Sequence, residues 1–227
     1  MPARILLALT SHGQLADTGR RTGFYVSEAA HPWRVFHAAG HQVDIVSVRG
    51  GQPPQDGLDP SDPVQTEFLS DPAVTAQLSA TPSTGDIDAS AYDAILYVGG
   101  HGTMWDFPHD EQLAALGRGI YESGGVVAAV CHGPAGLLPL TLSDGSHLIA
   151  GKRVTGFSNS EEEAVGLTAA VPFLLQNRLR DLGGDYRSGP DFAPHVVTDG
   201  RLVTGQNPAS ADGVARAVLD ALHAAAR

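Results

Sequence analysis

The chain is poor in cysteine, in basic residues and in long hydrophobic runs, and each shortage removes a class of protein. Its 227 residues include one cysteine, which excludes an internal disulfide and suits a reducing cytoplasm. Lysine and arginine number 14 against 25 aspartates and glutamates, a net charge of −11 that disfavours binding to nucleic acid or an anionic membrane. No apolar run approaches a membrane span, and the run at residues 5–9 is too short for a signal peptide.

The hydrophobic pattern predicts an α/β protein with a parallel sheet. Apolar runs at residues 5–9, 43–48, 92–98 and 126–130 indicate buried strands, with helical segments at 24–39 and 111–122 between them. Strands that alternate with helices form parallel sheets through right-handed crossovers. With 42% hydrophobic residues the chain suits one globular domain over residues 1–227.

Less regular segments complete the expected fold. Residues 50–88 are rich in proline and aspartate, and we interpret them as an excursion from the sheet, an insertion or cap with short helices at 63–69 and 73–78. A short strand is expected at 151–156, one or two helices at 161–180 with a break near Pro172, a hairpin at 196–203 and a final helix at 210–226.

The most informative segment runs from Val126 to Gly136. Its five apolar residues end at Cys131, and His132 and Pro134 follow, which predicts a sharp strand-to-helix turn with the thiol at its apex. The dipole and free N–H groups of such a helix would favour a thiolate. A buried structural cysteine is the alternative, but open α/β sheets bind their ligands at the carboxyl ends of strands.

A second candidate site element is the glycine-rich turn Gly99-Gly100-His101-Gly102. It also follows a predicted strand, and glycine lets backbone N–H groups approach a substrate closely. The Gly100 and His132 N–H groups would then form an oxyanion hole, with Gly99 lining the substrate site. A dinucleotide-binding loop is disfavoured because residues 104–108 do not supply the G-x-G-x-x-G pattern that opens a helix, and a plain turn remains an alternative.

Carboxylates near these turns are the candidate proton carriers. Glu28 lies in an otherwise small and apolar stretch, and burial would raise its pKa towards neutrality, although an exposed helix glutamate is the simpler interpretation. In the run Glu161-Glu162-Glu163, Ser160 and Glu163 are predicted to form a capping box. Glu162 would then point inward and orient His132.

The segments around Glu28, Gly100, Cys131 and Glu162, in this chain order, resemble the sequence pattern of the ThiJ/PfpI superfamily. More narrowly, the chain resembles the branch of small heat-shock-inducible, chaperone-like proteins that are glutathione-independent glyoxalases (glyoxalase III). The matching stretches run from the first strand to the last helix: Leu6–Ser11, Thr22–Phe24, Glu28–Pro32, Gly100–Thr103, Gly124–Ala135, Thr155–Phe157, Thr198–Gly205 and Asn207–Ser210. The segments 50–88 and 137–146 match least.

The resemblance implies a flavodoxin-like three-layer sandwich of the class I glutamine amidotransferase type and a homodimer. It implies catalytic Cys131, His132 and buried Glu28. A carboxylate after Thr155-Gly-Phe completes the site and falls on Glu162, with Glu161 or Glu163 in its place if the loop shifts by one.

The implied reaction converts methylglyoxal or a related 2-oxoaldehyde to a 2-hydroxy acid. A Cys131 hemithioacetal rearranges to a thioester that water hydrolyses, with no glutathione, nicotinamide, other cofactor or metal. The ten histidines show no clear metal-ligand spacing.

Other functions remain open at this stage. The same superfamily pattern accommodates a stress-related holding chaperone, a protein deglycase and a cysteine-dependent hydrolase. An accessible low-pKa cysteine would also suit a redox sensor. A glutamine amidotransferase is disfavoured because neither His195 nor His223 is followed by a glutamate two residues later.

Overall fold

A computed structural model describes residues 2–225 as a layered α/β fold. The strands are β1 Arg4–Leu9, β2 Phe24–Tyr25, β3 Gln42–Ser47, β4 Arg49–Gly51, β5 Gln55–Asp56, β6 Thr81–Ser83, β7 Ala94–Tyr97, β8 Val126–Val130, β9 Arg153–Val154, β10 Asp185–Tyr186, β11 Val196–Asp199 and β12 Leu202–Gly205. The α-helices are α1 Val26–Ala38, α2 Pro63–Ser70, α3 Pro72–Ser79, α4 Thr103–Asp106, α5 Glu111–Glu122, α6 Asn159–Ala164, α7 Leu175–Asp181 and α8 Ala211–Ala225.

Eight strands form the central sheet in the order β11-β12-β8-β7-β1-β3-β6-β4. All neighbouring strands run parallel except β11 on β12 and β4 on β6, which confirms the predicted mostly parallel α/β sheet. Strand β8 is buried along its whole length, as a strand covered on both faces should be. Helices α1 and α8 pack against each other, and α5 packs against β7 and β8.

The segment 50–88 differs from the expectation of an excursion away from the sheet. Strands β4 and β6 extend the central sheet at one edge, α2 packs against α1, and α3 packs against β3. The edge strand β4 pairs on one side only, and β6 pairs with β3 through a single residue pair, Ser47 with Ser83. Both strands are partly exposed, so their sequences carry little apolar signal. The two short helices are confirmed, and the side chains of Asp62 and Asp71 cap them.

The C-terminal elements follow the predicted order with shorter strands. The hairpin of β11 and β12 is confirmed, whereas the strand expected at 151–156 covers only Arg153–Val154 and pairs with β10 in a separate two-stranded sheet. The helical region breaks around Pro172, with α6 before it and α7 after it. Within residues 2–225, no helix combines the length and apolarity that crossing a bilayer requires.

Candidate active site

The predicted site residues come together at the carboxyl ends of β7 and β8. Cys131 follows β8 directly, and Gly99 lies two residues beyond β7. Glu28 lies in the first turn of α1, and Glu162 lies in the first turn of α6. Because β7 and β8 are parallel neighbours, their carboxyl ends meet at one edge, which is where such sheets bind ligands.

Cys131 occupies a strained backbone conformation. Its φ of +58° lies in the left-handed region, which non-glycine residues adopt at a cost of about 1–3 kcal/mol. Two hydrogen bonds hold the residue there, because its N–H donates to the Gly205 carbonyl at 2.9 Å and its carbonyl accepts from the Phe157 N–H at 2.8 Å. Such imposed strain is typical of functional sites, where it fixes the direction of a side chain.

A chain of hydrogen bonds leads away from the sulfur. Sγ of Cys131 lies 3.3 Å from Nδ1 of His132, and Nε2 of His132 lies 2.7 Å from Oε2 of Glu162. Burial alone would raise the pKa of Glu162, but hydrogen bonds from two histidines lower it to about 2. The carboxylate is therefore ionised and accepts the proton that Nε2 carries, which leaves Nδ1 of His132 as an acceptor facing the thiol.

The second oxygen of Glu162 is also paired. Its Oε1 lies 2.9 Å from Nε2 of His101, whose ring centroid is 4.0 Å from that of His132. Burial and the neighbouring imidazole of His101 lower the pKa of His132 to about 4, against the attraction of Glu162. His132 is therefore uncharged near neutral pH, as a proton acceptor for the thiol must be.

Three consecutive glutamates have three different surroundings. Glu161 is buried and forms a capping box with Ser158, since each side chain accepts from the other residue's backbone N–H, at 2.9 and 3.1 Å. The predicted box of Ser160 and Glu163 is therefore wrong. Helix α6 begins at Asn159, two residues earlier than expected, and this register turns Glu162 inward while Glu163 stays exposed.

Glu28 is fully buried beside Cys131. Neither of its carboxyl oxygens has a hydrogen-bond partner of good geometry among the described residues. Burial raises its pKa to about 8, although the nearby Cys131 thiol and Gly99 N–H favour the charged form. Glu28 is therefore mostly protonated at neutral pH and available as a proton donor.

The resting thiol differs from the sequence-based expectation of a thiolate. Burial, together with the charge and hydrogen bonding of Glu28, raises the pKa of Cys131 well above its ordinary value, while the His132 N–H opposes this. The segment after Cys131 is a five-residue 3₁₀-helix, Gly133–Leu137, rather than a long α-helix. Its dipole does not outweigh a buried carboxyl group next to the sulfur.

Gly99 and Gly100 allow close approach of several backbone segments. A Cβ on Gly99 would lie 2.3 Å from Glu28 Oε2 and 2.9 Å from Cys131 Cβ. Gly99 thus contacts Glu28, and its carbonyl accepts from the Tyr25 N–H. Gly100, with a φ of +107°, has an N–H without a protein acceptor in the described part of the chain, as an oxyanion donor requires.

Sequence reasoning assigned no role to His101 or to two phenylalanines near it. The Phe157 ring lies 4.4 Å from that of His132 and 6.4 Å from that of the half-exposed Phe192. The backbone N–H of Phe192 donates to Glu161. His101 was visible in the glycine-rich motif, but its partner Glu162 lies 61 residues away.

The cluster of His101, His132 and Glu162 also resembles a metal-ligand set by spacing. One ligand atom from each lies within 4.8 Å of the others. Both histidines, however, direct Nε2 at the carboxylate within hydrogen-bonding distance. We therefore assign the cluster to hydrogen bonding and proton transfer.

Comparison with known proteins identifies the family of this chain. The profile of the DJ-1/PfpI family matches residues 21–221. The chain belongs to the DJ-1/PfpI family. This confirms the resemblance inferred from the turns around Cys131 and Gly100.

Relatives in this family come from yeasts and bacteria. The chain is 36% identical to glutathione-independent glyoxalase HSP31 of Saccharomyces cerevisiae, over 97% of this chain and 98% of the relative. The crystal structure of glyoxalase III from Candida albicans superimposes with a TM-score of 0.87 at 32% identity and covers 96% of this chain and 97% of that one. The structure of the Rapid Encystment Protein 24 kDa of Francisella tularensis superimposes with a TM-score of 0.94 at 37% identity. It covers 98% of this chain and 99% of that one.

Proposed function

We propose that this protein is a glutathione-independent glyoxalase that converts methylglyoxal or a related 2-oxoaldehyde to a 2-hydroxy acid, with Cys131 as nucleophile. The observation that carries the proposal is a buried thiol between two proton carriers. His132 Nδ1 lies 3.3 Å from the sulfur, and the largely protonated Glu28 lies beside it. The names of full-length relatives at 30–36% identity support the same reaction.

The first step forms a hemithioacetal. Nδ1 of His132 takes the thiol proton while the sulfur attacks the aldehyde carbon, and Glu28 donates its proton to the aldehyde oxygen. The N–H groups of Gly100 and His132 stabilise the negative charge that develops on this oxygen. Glu28 becomes a carboxylate and His132 an imidazolium, held by the ionised Glu162.

The second step moves hydrogen between the two substrate carbons. The Glu28 carboxylate removes the proton from the former aldehyde carbon, and the electron pair shifts to the neighbouring ketone, whose oxygen takes a proton from His132. Glu28 then protonates that neighbouring carbon while His132 removes the hydroxyl proton from the sulfur-bearing carbon. The product is a 2-hydroxyacyl thioester, so one carbon is oxidised and its neighbour reduced with no external electron acceptor.

Hydrolysis returns the enzyme to its resting state. Water attacks the thioester carbonyl, the carbon–sulfur bond breaks, and the 2-hydroxy acid leaves. The sulfur and Glu28 are reprotonated, and the acid releases one proton to solvent. Because the sulfur leaves as a thiolate next to the imidazolium of His132, the same pair of residues serves both the first and the last step.

The test is lactate formation from methylglyoxal without glutathione. Cys131→Ala should lower kcat/KM by at least about a thousand-fold, and Glu28→Gln by about a hundred-fold or more, because nucleophile and proton donor are lost. Glu163→Gln is a matched control, since it makes the same change at an exposed glutamate in the run that holds Glu162. Turnover by Cys131→Ala at the wild-type rate would exclude the proposal.

A further inference from the structure

We propose that His101 is a positioning residue that fixes the Glu162 carboxylate and, through it, the catalytic orientation of the His132 ring. For turnover the inference rests on the proposed function, while its effect on the reactivity of Cys131 does not. The His101 side chain contacts the two residues that follow the sulfur in the hydrogen-bond chain, since it pairs with Glu162 and packs against the ring of His132.

Both oxygens of the Glu162 carboxylate need a hydrogen-bond donor. The Glu162 side chain is only 3% exposed, and its two oxygens are separately paired, Oε2 with His132 at 2.7 Å and Oε1 with His101 at 2.9 Å. A buried carboxylate oxygen that lost its donor would bear the full desolvation cost of a charged group. The carboxylate would then be free to turn about its remaining hydrogen bond with His132, and the ring would no longer be held in one orientation.

Packing also restricts the His132 ring. It contacts the ring of His101, 4.0 Å away, and that of Phe157, 4.4 Å away, and these two rings lie 6.0 Å from each other. The backbone also fixes the position of His101, since its carbonyl accepts from the Met104 N–H at 3.0 Å. Two rings and one carboxylate therefore determine the plane of His132 and keep Nδ1 directed at Sγ.

Electrostatics act on the same ring. Burial and the neighbouring imidazole of His101 lower the pKa of His132, whereas Glu162 and Glu161 raise it. Beyond the sulfur lies Glu28, mostly uncharged at neutral pH. Replacing the imidazole at position 101 removes one of the influences that lower the pKa of His132 and leaves the carboxylates, so His132 is protonated, and loses its acceptor role, at a higher pH.

The experiment separates the donor from the ring. His101→Phe keeps an aromatic ring without a donor, and His101→Gln keeps a donor without the imidazole. His109→Gln is the control, because His109 is exposed and lies in the same stretch after β7. Two readouts are measured for each folded variant: the rate of Cys131 alkylation by iodoacetamide from pH 4 to 9, and kcat and KM for methylglyoxal.

As the pH is lowered, the rate of Cys131 alkylation should begin to fall at a pH about one unit higher in His101→Phe than in wild type. Its kcat should fall about 10- to 100-fold with KM changed less than about three-fold, and His101→Gln should recover most of kcat. Superimposable alkylation profiles for wild type and both variants would overturn the inference. Equal losses of kcat in His101→Phe and His101→Gln would overturn it as well. A shifted profile in a protein without glyoxalase turnover would support the role of His101 and refute the proposed function instead.

Discussion

As the pH rises, the Glu28→Gln variant should become increasingly more stable than wild type, even though the substitution removes the proton donor proposed above. The carboxyl group has an ordinary pKa of 4.5 and a pKa of about 8 in the folded protein. Between these values the folded state holds one proton that the unfolded state has released. Stability from the neutral form is fully present below pH 4.5 and is lost as the pH rises towards 8.

The size of the effect follows from this difference. Each pH unit changes the free energy of unfolding by about 1.4 kcal/mol per proton. Between pH 4.5 and pH 7, wild type therefore loses about 3 kcal/mol of stability through this group. A protein with a permanently neutral side chain at position 28 would not have this loss. The amide of glutamine is such a side chain and has nearly the same shape.

Urea unfolding from about pH 5 to 7.5 measures this directly for wild type, Glu28→Gln and the control Glu163→Gln. The stability advantage of Glu28→Gln over wild type should grow by about 1.4 kcal/mol per pH unit, whatever its starting value. The titrations of His132 and Glu162 are present in both proteins and cancel to first order in the difference. A difference that stays constant with pH would refute the raised pKa of Glu28 and its role as a neutral donor.

Three further predictions concern the same site. The kcat/KM for methylglyoxal should fall as the pH rises through about 8, because ionised Glu28 neither donates a proton nor tolerates a thiolate beside it; a flat profile from pH 6 to 9 would contradict this. Gly99→Ala should lower the free energy of unfolding, measured by thermal unfolding, by about 2 kcal/mol or more. Gly85→Ala should not, because a Cβ at Gly85 would meet no atom nearer than 3.8 Å. Glu161→Ala should lower the free energy of unfolding by about 2–4 kcal/mol and Glu163→Ala by under about 0.5 kcal/mol, because only Glu161 takes part in the capping box. Equal losses in the two variants would contradict the assigned cap.

Periodicity was sufficient to predict the central fold. Apolar runs and the helical segments between them gave β1, β3, β7 and β8 and the parallel sheet, because buried parallel strands are distinct in sequence. The edge strand β4 and its neighbour β6 were missed, since both are short, contain glycine, proline or serine, and form few residue pairs. Their position depends on long-range pairing that no local pattern records.

The site residues were accessible from sequence, but their charge states were not. Position at the end of a strand was enough to select Cys131 and Gly100. The pKa of the Cys131 thiol lies above its ordinary value because the sulfur is buried and because Glu28, 103 residues earlier in the chain, is adjacent to it in space, and neither condition is visible in a local pattern. Likewise, Glu162 could be distinguished from its two neighbours only by the register of α6, which the Ser158 cap sets.

The hydrogen bond from the Cys131 N–H to Gly205 determines when the reactive centre can form during synthesis. The carbonyl that pins the strained turn belongs to β12, more than 70 residues after the nucleophile. A ribosome elongates at about 5–20 residues per second, so a growing chain carries this sulfhydryl for several seconds before its partner exists. Throughout that interval Cys131 lacks the hydrogen bond that holds its left-handed backbone conformation in the folded protein.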